Sequence, residues 1–255
     1  MKVRNLPTHV ARLVCLTALL ILAGSCTAPS STPTAVAQPS GTAIPTPAPT
    51  SAPSAAPSPR IQSGGRVVGS ANAAGTYRGY SVQLPSGWAF APGGYFVVKG
   101  SSSITGIGVW DPTEVPTDPC LWRESLKRPG PTVGDLVEAL LAQADRNPST
   151  PREVTLAGYP GTYFEWSTPE DAVVTADADF EGCDDPGNGH HDFISWLGAG
   201  DSERYHQAAG QIDRLWILDV DGQRLVIDAS TPRDAEQAEL SELQQVVESL
   251  RFENR

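Results

Sequence analysis

Apolar and polar residues alternate from Tyr80 to Leu84, and the alternation stops at Pro85 and a Ser86-Gly87 turn. A period of two sends one set of side chains to each face of a pleat, so this segment predicts a half-buried strand. Tyr95 to Lys99 and Ile104 to Trp110 predict two more strands, joined by a Gly- and Ser-rich connection that suits antiparallel neighbours. The period then changes. Val133, Leu136, Val137, Leu140 and Leu141 recur at helical spacing behind Thr132, an N-cap residue with Asp135 three positions on, and predict an amphipathic helix. Val154 to Leu156 and Thr162 to Trp166 read as strands joined through a turn at Gly158-Tyr159-Pro160-Gly161, and an acidic, irregular stretch follows.

The strongest local signal is a hairpin. Leu215 to Val220 and Gln223 to Ala229 flank Asp221-Gly222, and Asp-Gly favours the type I′ turn of two-residue loops. Both arms are too apolar for a solvent-facing position. Thr231 as N-cap, Pro232 as first helical residue and Asp234 in the first turn predict a final helix, with Leu240, Leu243, Val246, Val247 and Leu250 on one face. Arg251-Phe252 adds a last short strand. Strands outnumber helices and most connections are too short for parallel crossovers, so the expected class is α+β, a mainly antiparallel sheet with helices packed on it.

The first residues obey different rules. Lys2, Arg4 and Arg12 make a basic start without an acid, and the apolar run Leu13 to Ala23 is too short to cross a hydrocarbon core about 30 Å thick as a helix. Residues 1–25 therefore read as a cleaved secretory signal. Leu22-Ala-Gly-Ser-Cys26 resembles the lipobox of bacterial lipoproteins, with Ala23 where that family usually has Leu, Val or Ile. The resemblance implies a diacylglycerol on the Cys26 thiol, palmitate among the attached acyl chains, and a new N-terminus at Cys26; the other reading is an ordinary signal with Cys26 left free. It also implies membrane attachment through Cys26 on the extracytoplasmic face of the cell membrane.

Export sets the redox setting for the remaining cysteines. Cys15 leaves with the signal and Cys26 is acylated, which leaves Cys120 and Cys183 as a pair. A disulfide is expected there; the competing reading is a metal or redox site, which lacks Cys-x-x-Cys spacing. Of the 34 residues from Thr27 to Arg60, 29 are Pro, Ala, Ser or Thr, including nine prolines. Residues 26–60 thus read as the lipidated Cys and a disordered stalk biased to polyproline II, with a reach of about 100 Å. Residues 61–255 form the expected globular domain. The net charge of −11 becomes three units more negative when Lys2, Arg4 and Arg12 are removed. Such a surface repels nucleic acid and favours sugars, peptides, cations or other proteins.

Tyr80-Ser-Val-Gln-Leu-Pro-Ser-Gly-Trp88, together with a closing helix ending in Ser249-Leu-Arg-Phe252, resembles Mog1/PsbP-like domains, a pattern shared with uncharacterised actinobacterial lipoproteins. The resemblance spans most of residues 66–255. It implies an α/β/α sandwich around an antiparallel sheet, and members that mostly serve as binding or assembly accessories. Its motifs are structural and carry no catalytic signature.

Gly-x-Ser-x-Gly, His-Glu-x-x-His, phosphate-binding and dinucleotide-binding glycine motifs are all missing from the sequence. The densest group of donors is Asp177, Asp179, Glu181, Asp184 and Asp185, followed by His190-His191-Asp192. Asp177 to Gly182 matches the first half of an EF-hand loop, but position 12 is Asn188 where a bidentate Glu is needed. A solvated acidic loop is the simpler reading, so no metal, cofactor or catalytic residue is assigned. Of the six tryptophans, Trp122 is the one expected at the surface, where it would suit stacking on sugar. The expected function is a lipid-anchored, non-enzymatic binding or accessory protein of the envelope, with cell-wall glycan or an envelope protein as partner. The alternative is an envelope hydrolase using the loop carboxylates as acid and base.

Overall fold

The computed structural model describes residues 60–62, 66–72, 79–91, 96–100, 104–199 and 202–253, all within one unit, Ser54–Arg255. The signal segment, Cys26, the stalk apart from Arg60, and Tyr95 lie outside the described residues. In chain order the elements are β1 (Arg60–Gln62), β2 (Arg66–Asn72), β3 (Gly79–Leu84), β4 (Trp88–Phe90), β5 (Phe96–Lys99), β6 (Gly106–Trp110) and β7 (Pro112–Pro116). There follow α1 (Trp122–Ser125), β8 (Leu126–Lys127), α2 (Val133–Leu141), β9 (Arg152–Leu156), β10 (Tyr159–Ser167), β11 (Ile194–Gly198) and β12 (Glu203–Tyr205). The chain closes with β13 (Ile212–Val220), β14 (Gln223–Thr231), α3 (Gln237–Glu248) and β15 (Arg251–Phe252).

The central sheet runs β4-β5-β6-β14-β13-β10-β9, and its strand pairs are antiparallel. Its axis is the hairpin read from Asp-Gly. β13 and β14 pair from Ile212↔Thr231 to Val220↔Gln223, with Asp221 and Gly222 both at positive φ (52° and 81°) as a type I′ turn requires. Period-two alternation gives the sheet two apolar faces. Ile107, Val109, Trp216, Leu218, Leu225 and Ile227 face Leu243, Val246 and Val247 of α3 and Tyr80, Val82 and Leu84 of β3. Trp110, Phe164, Trp166, Leu215, Ile217 and Val226 face Leu136 and Leu140 of α2 and Trp196 of β11. The fold class is therefore α+β as expected, but each face carries a small sheet as well as a helix: β1-β2-β3-β15 on the first and β12-β11-β7-β8 on the second.

α2 forms where its pattern places it. Thr132 accepts from Asp135 N, and the Asp135 carboxylate accepts from Thr132 N, a reciprocal cap at the helix start. α3 departs from expectation. Thr231 is the last residue of β14, paired with Ile212 and accepting from Arg214 Nη1 at 3.1 Å, so the helix begins at Gln237 behind Glu236. A β-ladder bond at Thr231 outcompetes its capping role. The β9–β10 turn is Ala157-Gly158, at φ 55° and 88°, so Tyr159 to Gly161 belong to the strand rather than to the turn.

Candidate functional site

The acidic segment, the densest set of candidate residues in the sequence, is a disulfide-pinned loop whose acids largely hold its own backbone. Cys120 and Cys183 are bridged, with Cα atoms 4.4 Å apart across a separation of 63 residues. Around the bridge Phe180, Phe193 and Cys183 form a separate small core. The carboxylates that might have done chemistry hold backbone instead. Asp185 Oδ1 accepts from the amides of Gly187, Asn188 and Gly189, Asp184 Oδ2 accepts from Arg123 N, and Asp179 Oδ1 takes His190 Nδ1 and His191 N. The bonds from His190 and Gly187 hold the Asp179 and Asp185 carboxyls below their ordinary range, opposite to what a general acid needs. Asp192 goes the other way, raised by burial. Among the described residues no three His, Cys, Asp or Glu side chains converge on a metal-sized point. Trp122 corrects the sequence expectation: it is 7% exposed, and the other five tryptophans are buried too. The fold thus leaves no tryptophan platform for sugar on the surface.

A second polar group lies on the α2 side of the central sheet. Register makes Asp228 the partner of Leu215 and Asp213 the partner of Ser230, so the two carboxylates are diagonal neighbours on one face. Both are almost fully buried. Arg204 of β12 reaches across to them, donating from Nε to Asp228 Oδ2, from Nη2 to Asp213 Oδ1 at 3.0 Å, and from Nη1 to Tyr205 O. Trp166 Nε1 and Gln211 Nε2 complete the shell of Asp213 at 3.0 and 2.9 Å. Burial pushes the Asp228 carboxyl up, and Arg204 only partly offsets it.

Beside this pair, His206 Nε2 is 2.6 Å from Ser195 Oγ and His206 Nδ1 is 3.4 Å from Asp213 Oδ2. The three residue types are those of a nucleophilic triad. The arrangement cannot act as one: Ser195 and His206 have no solvent exposure, and Nδ1 makes no hydrogen bond to Asp213, whose two oxygens are already engaged. Arg146 closes the group, donating to Ser195 Oγ and lying 4.2 Å over the Trp166 ring. Burial pushes Arg146 down to about 9 and, with the Arg204 and Arg146 charges, holds His206 well below its ordinary range, so the imidazole is neutral.

The same face opens into a cavity of about 340 Å³. Its wall is Phe96, Val98, Gly106, Gly108 and Trp110, and its polar end is Glu203, Arg204 and Asp228. Glycine makes the room. A Cβ on Gly108 would come 2.6 Å from Trp110 Nε1 and 2.8 Å from Phe96 Cε1, so a larger residue cannot keep this packing. Two buried atoms of the lining residues have no hydrogen-bond partner among the described residues: Asp228 Oδ1, an acceptor, and Trp110 Nε1, a donor. Tyr205, 48% exposed, stands among the lining residues. None of these residues was singled out in the sequence. The available signal was Asp228 itself, a charge inside Leu225-Val-Ile-Asp-Ala229, an arm already read as buried.

No protein-family model matches the chain, and no protein of curated function does. Among solved structures it is similar to cyanobacterial PsbP (CyanoP) from Synechocystis sp. PCC 6803, determined in solution, at 14% identity and a TM-score of 0.30, covering 68% of this chain and 86% of that one.

Proposed function

We propose that the chain is an exported, non-enzymatic binding or accessory protein, held at the outer face of the cell membrane by lipid on Cys26, and that the cavity at Asp228 is its binding site. The observation that carries the binding role is the glycine-made cavity of about 340 Å³, walled by Phe96, Val98 and Trp110 with Arg204 and Asp228 at its polar end. Concave, largely apolar sites with a few polar groups at one end are the usual form of small-molecule sites. The basic start, the apolar run and Cys26 support export and anchoring, and the Cys120–Cys183 bridge is in keeping with an oxidising compartment. The engaged carboxylates of the acidic segment support binding over hydrolysis.

Native mass spectrometry of the full chain, purified from membranes in detergent, tests the binding site. A small molecule is expected on the wild type and absent from Val98→Trp, which fills the cavity. Equal occupancy in both, or none in either, overturns the assignment. Metabolic labelling with an alkyne fatty acid tests the anchor: label is expected on the wild type and lost in Cys26→Ser.

A further inference from the structure

Away from the cavity, the central sheet ends in a second surface: we infer that the outer side of β9 receives an extended segment of a partner protein as an added strand, apolar at alternate positions and basic between them. Among the described residues no strand pairs with that side of β9. The two-residue turn at Ala157-Gly158 makes Leu156 with Tyr159, Val154 with Gly161 and Arg152 with Tyr163 the hydrogen-bonded pairs of the hairpin, so Glu153 and Thr155 turn their N–H and C=O groups outward. The other sheet edges, β1, β4, β8, β12 and β15, are two or three residues long, which blunts them against pairing; β9 has five. Nor does its basic residue guard it, because the Arg152 guanidinium is folded back 4.4 Å over the Tyr163 ring.

Side-chain alternation gives an incoming strand two environments, since β9 separates two grooves that share Glu153, Val154 and Thr155 in their linings. On the α3 side Leu156, Tyr163, Trp216 and Val247 line a groove of about 360 Å³, where Arg152 and Glu248 are of opposite charge and apolar side chains suit the wall. On the α2 side Val133, Pro160, Thr162 and Asp219 line a groove of about 610 Å³, whose charged residues are Glu153 and Asp219, both exposed. Arg224, the cross-strand partner of Asp219, is held by Gly130 O, Thr132 O and Pro112 O. A Lys or Arg at the intervening positions therefore meets two carboxylates and no competing cation among the lining residues. Charge and composition disfavour the other occupants. A second copy brings another net −11 to an acidic edge, and residues 27–60 of the chain itself offer one basic residue, Arg60, and nine prolines that lack the N–H an added strand needs.

Fluorescence anisotropy of a labelled, end-blocked heptapeptide, Thr-Val-Lys-Val-Lys-Val-Thr, titrated with the full chain in detergent at physiological salt tests the inference. The peptide is expected to bind saturably, and the version with Glu in place of both lysines at least about tenfold more weakly. N-methylation of both lysines, which keeps their charge and removes the N–H groups aimed at β9, should abolish binding. Thr155→Pro, which removes an outward donor and leaves the β9–β10 bonds in place, should do the same, and Glu153→Lys should erase the preference for Lys over Glu. No binding by the lysine peptide, equal binding by the glutamate or N-methylated one, or a preference untouched by Glu153→Lys overturns the inference, and none of these readings depends on whether Thr155→Pro folds. Sedimentation showing a dimer that Thr155→Pro disperses would assign the edge to a second copy and overturn the partner. The cavity at Asp228 is decided separately by Val98→Trp, which leaves β9 unaltered.

Discussion

The acidic segment around the disulfide and the polar group under β12 are built from the same residue types and are opposites in physics. In the first, Asp179, Asp184 and Asp185 lie near the surface and each accepts from backbone amides on one oxygen, so their charges stay solvated while they hold the loop. In the second, Asp213 and Asp228 are carried into the sheet by β13 and β14 and share one cation, Arg204, and one Asp228 oxygen has no partner among the described residues. Density of acids along the sequence therefore points away from the site. A carboxylate that a strand forces into the interior is the more informative observation, because burial makes an unmet acceptor costly.

The comparison breaks most visibly at Arg204. Arg204→Met leaves two carboxylates buried without their cation, and urea denaturation is expected to show a loss of about 3–5 kcal/mol. A loss near zero would mean that the carboxylates are hydrated and the interior assignment is wrong. Next in size is the bridge: Cys120→Ser with Cys183→Ser frees a loop spanning 63 residues, which in the chain-entropy model removes about 4 kcal/mol at most. Because the small core of Phe180 and Phe193 hangs on this link, amide exchange at Phe180 and Cys183 should rise before exchange at Leu215 or Ile227.

A third effect depends on pH. His206 is held neutral in the fold, while the unfolded chain takes up a proton near pH 6.5, so the unfolded state binds more protons below that value. Its contribution falls by about 1.4 kcal/mol for each pH unit below 6.5, down to its own depressed folded value. Asp228 has the opposite sign. Its raised carboxyl keeps a proton that the unfolded chain has lost, so above its ordinary value of 3.8 it destabilises the fold as pH rises toward its folded value. Subtracting the stability curve of His206→Gln from that of the wild type isolates the histidine; an unchanged acid limb would mean that His206 is protonated in the fold. The smallest effect belongs to the surface. His190 is raised and Asp179 lowered by their mutual bond, so this contact holds between the two folded values and loosens as pH falls through the Asp179 value or rises through the His190 value. Proton NMR of His190 in wild type and Asp179→Asn reads it directly, the variant titrating lower.

Local chemistry made much of the fold legible. The β13–β14 hairpin followed from Asp221-Gly222, and α2 from Thr132 with Asp135, because each signal lies within four residues of the structure it specifies. Elements defined by distant partners were not legible. β11 and β12 are short, and β12 gains its place from pairing Trp196 with Arg204 and Leu197 with Glu203. Thr231 reads as a cap because its ladder partner Ile212 lies on the preceding strand. The candidate site was hidden for the same reason: Arg146, Ser195, Arg204 with His206, Asp213 and Asp228 come from five separate places along the chain, and the pairing of β6, β14 and β13 together with the small sheet assembles them. Asp228 in an apolar arm marked the place without naming its partners.

Glycine-selective ¹⁵N labelling of the full chain compares the two regions in one experiment, because Gly106 and Gly108 line the cavity while Gly182, Gly187 and Gly189 lie in the acidic segment. Titrated with the small molecule released from the purified wild-type chain, the amides of Gly106 and Gly108 should shift saturably and those of the acidic segment should stay in place. Shifts at Gly182, Gly187 and Gly189 with none at Gly106 and Gly108 would put the site in the acidic loop and contradict the assignment to Asp228.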